Sequence, residues 1–206
     1  SLLRFFAWSW ECRSAPGTSE PWLTHARHAG LLRDIACGTA SLWSVQAGAG
    51  KVFLLGSVHF LRPADYPLPD AMEQVYDSSA KVVFETDIGA MASPDVQQEM
   101  LRLGFYPENE TIFDHLAPGT AEMLRQKLAD LGLPEALVTR LKPWTAAMTL
   151  EVLILKLMGF DEQSGVDFYF YRRARADGKA LDFLETVDYQ LKLLAEHLDE
   201  VIVVFD

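Results

Sequence analysis

The sequence predicts a mixed α/β (α+β) domain, and three observations carry that reading. Two apolar runs, SLWSVQ and KVFLLGS, flank the glycine-bearing link AGAG and read as a β-hairpin. Lys51 to Asp87 then holds a strand, a Pro-rich loop with a helical stretch, and a second strand, the pattern of a βαβ unit. Beyond Asp87 apolar residues recur mostly at helical spacing. The expected architecture is a mixed β-sheet with an N-terminal hairpin, a βαβ unit and a largely helical middle insertion.

Each element follows from local signals. Residues 1–38 mix Ser, Gly, Pro, Trp and His without steady periodicity and are read as an extension; residues 39–206 are read as the domain. After the hairpin, RPADYPLPD is a Pro-rich loop, and AMEQVYDSSA is a helix with Met72, Val75 and Tyr76 on one side. KVVFETD is a short strand. SPDVQQEMLRLG has Ser93 as N-cap, Pro94 at the first helical position and Gly104 as the stop. GTAEMLRQKLADLG and LPEALVTRLK are read as two more helices, and Trp144 to Met158 as a buried one. GVDFYFYRRARADG is a helix stopped by Gly178, KALDFLE a third strand, TVDYQLKLLAEHLDE an amphipathic helix and VIVVFD a fourth strand.

Composition narrows the partners. The chain has 206 residues, 50% hydrophobic, with 18 Lys and Arg against 29 Asp and Glu, a net charge of −11. Such a surface repels phosphate backbones, so no nucleic-acid partner is expected. The most apolar window, Trp144 to Met158, carries Glu151 and Lys156 and is too short to span a bilayer. Cys12 and Cys37 have no zinc-type spacing.

The chemistry-bearing residues lie at strand ends. KVFLLGS closes on Gly56, which permits a sharp turn, and His59 follows three residues later. KVVFETD carries Glu85 at its tip, and KALDFLE carries Glu185. Parallel neighbouring strands lie about 4.8 Å apart, so His59 and Glu85 are expected to meet at one sheet edge. One imidazole and two carboxylates there suit either a metal site or a general acid/base pair. Against this, a lone GxxH is a weak signal, and a strand-end glutamate commonly faces water or caps the next helix. His25, His28, His115 and His197 are read as surface or helix-end residues.

LWSVQ, VFLLGSVHF, RPADYPLP, KVVFETD, TIFDHL, LKPW, SGVDFYFYRRA and GKALDFLETVDYQL, in this order, resemble the TraB/GumN family, relatives of the TIKI metalloproteases. The resemblance covers about residues 41–206. It implies a bacterial, metal-dependent hydrolase of metalloprotease type, acting on a peptide or small-molecule substrate. Its implied cofactor is a divalent ion, manganese or cobalt rather than zinc, with His59 and Glu85 as ligands and His59, Glu85 and Glu185 as catalytic residues. A periplasmic or secreted location is also implied. The family carries two GxxH motifs; this chain has one, Gly56 to His59, and is expected to be a C-terminally truncated form whose site lacks one His. The alternatives are a non-catalytic peptide-binding or regulatory protein and an inactive fragment lacking the second GxxH motif. An imidazole in either role needs its second nitrogen fixed by a partner, which the sequence does not identify.

Overall fold

The computed structural model describes residues 32–34, 42–47 and 50–197. Cys12, Cys37, His25, His28 and the VIVVFD strand lie outside the described residues. The chain divides into two compact units, Ser1–Val83 with Gly159–Asp182, and Phe84–Met158 with Phe183–Asp206.

In the first unit, β1 (Leu32–Asp34), β2 (Leu42–Ala47) and β3 (Gly50–Leu55) form an antiparallel sheet in that order. The hairpin is tighter than expected. Ala47 pairs with Gly50, so two residues rather than four separate the strands. β1 falls in the stretch whose sequence has no steady pattern. Along β2, buried Leu42 and Ser44 alternate with half-buried Trp43 and Val45, the period of a sheet with one inner face.

Helix α1 (Asp70–Ser78) buries Met72 and Tyr76, four residues apart on one stripe. A later helix of the same unit, Val166–Asp177, buries Val166, Phe170 and Ala174 at the same spacing. The rings of Tyr76 and Phe170 stack with centroids 5.2 Å apart. Lys179 Nζ donates to the carbonyls of Tyr76 and Ser79 at 2.5 and 2.6 Å, closing the C-terminal end of α1, where carbonyls lack helical partners.

Strand β4 (Lys81–Phe84) pairs in parallel with a strand at Ala180–Phe183. The mixed α/β class is therefore as expected, with the described strands divided between two small sheets. This corrects one pairing: the hydrogen-bonded neighbour of β4 is the later strand, and β3 pairs with β2.

The second unit is helical: α2 (Pro94–Gly104), α3 (Ile112–His115), α4 (Pro118–Asp130), α5 (Pro143–Leu157) and, after α6 (Val166–Asp177) and β5 (Ala180–Phe183), α7 (Val187–His197). Ser93 caps α2 as expected, its Oγ accepting from Val96 N–H. Ile112, Leu128, Val138, Leu141, Ala146 and Leu150 form one buried cluster. Trp144, Val187 and Leu191 form another, with Met100 and Leu103 of α2 against it.

LPEALVTRLK departs from expectation. It makes a single 3₁₀ turn, Glu135–Leu137, instead of a helix. Its backbone is claimed by tertiary partners: Thr139 O accepts from Ile112 N–H, Arg140 O from Tyr106 N–H, and Lys142 N–H donates to Gly104 O. Carbonyls and amides spent on such bonds are lost to an i→i−4 ladder.

Candidate functional site

His59 lies in the first unit, four residues beyond the end of β3. Its loop is stitched to the segment that opens α6. Leu61 and Asp161 exchange backbone hydrogen bonds at 3.3 and 2.9 Å, and Val166 N–H donates to Val58 O at 2.8 Å. Tyr66 Oη donates to Ser164 O at 2.8 Å. Burial, foremost, and then the charge of neighbours including Asp167 and Glu73 push the Tyr66 hydroxyl above its ordinary range, which keeps it a donor.

Gly165 permits this docking. A Cβ there would lie 2.2 Å from the His59 carbonyl oxygen and 2.9 Å from Asp167 Oδ1, inside van der Waals contact. The helix start can approach the histidine loop only because that atom is missing.

The approach delivers the partner that the sequence left unidentified. Asp167, in the first turn of α6, places Oδ2 2.5 Å from His59 Nδ1. The His59 side chain is 44% exposed and that of Asp167 18%. Asp167 Oδ1 is buried without a hydrogen-bond partner. Asp167 carried a weak signal: an acidic residue two places after the glycine of a helix-opening SG.

Glu85 and Glu185 lie in the second unit, just beyond β4 and β5. The ladder continues past both strands, Leu184 N–H donating to Phe84 O and Glu185 N–H to Glu85 O at 2.9 Å. Gln190 of α7 gathers the two carboxylates: its Nε2 donates to Glu85 Oε1 at 2.7 Å and to Glu185 Oε2 at 3.3 Å. Glu85, expected beside buried structure, is exposed. Glu185 does not cap α7; Thr186 Oγ1 does, accepting from Tyr189 N–H at 3.1 Å. Gln190 was missed because an amide on an amphipathic helix has no sequence signature of its own.

The strand tip beside Glu85 thus belongs to Glu185, whereas a β3 neighbour bearing His59 had been expected. Imidazole nitrogen and carboxylate oxygen suit a borderline or hard divalent ion in kind. In number they fall short: among the described residues no three His, Cys, Asp or Glu side chains gather as a metal site. His115 is structural. Its ring stacks on Tyr106 with centroids 4.2 Å apart, and its Nε2 lies 2.9 Å from Glu110 Oε2.

A model of the TraB/PrgY/gumN family matches residues 41–204. A protein named uncharacterized protein YbaP from Escherichia coli (strain K12) is 20% identical over 153 residues, 74% of this chain and 55% of that protein. Its namesake from Shigella flexneri matches to the same extent. The chain spans about half the length of these curated relatives. No solved structure matches it.

Proposed function

We propose that this chain, which belongs to the TraB/PrgY/gumN family over residues 41–204, is a hydrolase of peptide bonds that works with a divalent metal ion. The observation that carries the reading is the meeting of Glu85 and Glu185 through Gln190 at the ends of two parallel strands. Ligand sites in such sheets lie outside the carboxyl ends of the strands. Gln190 fixes one oxygen of each carboxylate, which sets the direction of the other. Glu85, which is exposed, would accept a proton from water as a general base. His59 presents an imidazole oriented through Nδ1, so that Nε2 faces away from Asp167. The divalent ion that the family resemblance implies, manganese or cobalt, would supply Lewis-acid polarisation of the scissile carbonyl and acidify a bound water.

Full-length protein assayed on a peptide library with added Mn²⁺ or Co²⁺ tests this. His59→Ala and Glu85→Gln should each lower turnover at least about 100-fold. Unchanged turnover in His59→Ala would remove the proposal. A second reading is a peptide-binding protein without turnover that uses the same strand tips. Calorimetry showing peptide binding that is indifferent to chelator, with no cleavage, would select it.

A further inference from the structure

We propose that Asp167 is the positioning residue of His59, holding the imidazole in one orientation with its proton on Nδ1, and that Gly165 is the residue that makes this possible. The inference deepens the hydrolytic reading of His59 and rests on that reading for its rate measurement alone.

Two bland accounts of the contact compete with this one. The first is that His59–Asp167 is a surface ion pair contributing stability. With the imidazole 44% exposed, solvent screens such a pair and leaves it little to contribute to stability. The segment is already held without it by the Leu61–Asp161 exchange, the Val166 to Val58 bond and the Tyr66 to Ser164 bond. The second is that Asp167 merely favours the N-terminal end of α6, as acidic residues do. That role requires no contact with a histidine 108 positions earlier in the chain.

The buried, unpartnered Oδ1 argues against both. A carboxylate oxygen withdrawn from water without a hydrogen bond is unfavourable, and a residue selected for stability alone would avoid it. Asp167 instead gives up solvation on one oxygen and places the other 2.5 Å from Nδ1. Gly165 accepts the matching constraint, leaving no room for a Cβ against the His59 carbonyl. A carboxylate on Nδ1 fixes both the tautomer and the orientation of the ring.

The test uses the full-length protein labelled with ¹⁵N at its histidine rings. In the parent, the neutral His59 ring should be a single tautomer protonated on Nδ1. In Asp167→Asn, whose amide can donate as well as accept, the ring should shift wholly or partly to the Nε2-protonated form. Asp167→Ala should give a mixture. On peptide, Asp167→Asn should lower kcat by about 10–100-fold with KM little changed, and Asp167→Glu should recover part of the loss. An unchanged His59 tautomer in both folded variants would overturn the proposal. A tautomer that shifts in the variants, in a protein whose parent form lacks metal-stimulated turnover, would uphold the positioning role and remove the hydrolytic reading.

Discussion

Glu151 stands on α5, a helix otherwise rich in apolar side chains, and burial alone pushes its carboxyl above the ordinary carboxylate range. The sign of its effect follows. With the folded pKa raised above the unfolded one, the neutral form is favoured in the native state. Its stabilising balance is complete below the unfolded value and is lost as pH rises through the folded one. Glu151→Gln should therefore raise stability at pH 7 by a few tenths of a kcal/mol, since solvent screens a half-buried group. The gain should vanish near pH 4; urea midpoints at the two values measure it. At this scale the sequence was informative where a residue's type and place sufficed. Glu85 and Glu185 were legible as strand-end carboxylates, and they do meet through Gln190. Asp167 and Gln190 were not legible, because each acquires its role from a residue more than 100 positions away.

Among the elements, α6 shows how a helix start is positioned by what it lacks. Gly165→Ala should cost about 2 kcal/mol or more, because the added methyl meets backbone that cannot rotate aside. Guanidinium unfolding measures it. Gly119→Ala is the control: beyond its chain neighbours and its own helix backbone no atom lies within 4 Å of that Cβ position, so the change in α4 should be neutral or stabilising. Helix limits set by local chemistry were readable, as at Ser93 with Pro94 before α2 and at Gly178, whose left-handed φ of 67° ends α6. The segment from Leu133 to Lys142 was not. Its helical composition is overridden by backbone bonds to residues 104–112, which no local pattern records.

For the whole molecule, the α/β class was legible from periodicity, whereas the distribution of strands between two sheets was not. Strand pairing depends on which edges meet, and short apolar runs carry no label for that. The Tyr76 hydroxyl gives the fold an alkaline limit. Burial, and then the hydrogen bond it donates to Asp177 at 2.7 Å, push its pKa up to about 12. The native state therefore holds a proton that the unfolded chain releases near pH 10. Stability should fall as pH rises from about 10 to about 12, and Tyr76→Phe should flatten that slope. Thermal melts across the interval measure it. Both compact units are also discontinuous in sequence, the first requiring residues 159–182 and the second residues beyond 183. On a ribosome adding roughly 5–20 residues per second, the nascent hairpin must wait several seconds for α6 to emerge. The first unit is complete only once residue 182 is made and the second only with the residues that follow, so both must form late in synthesis.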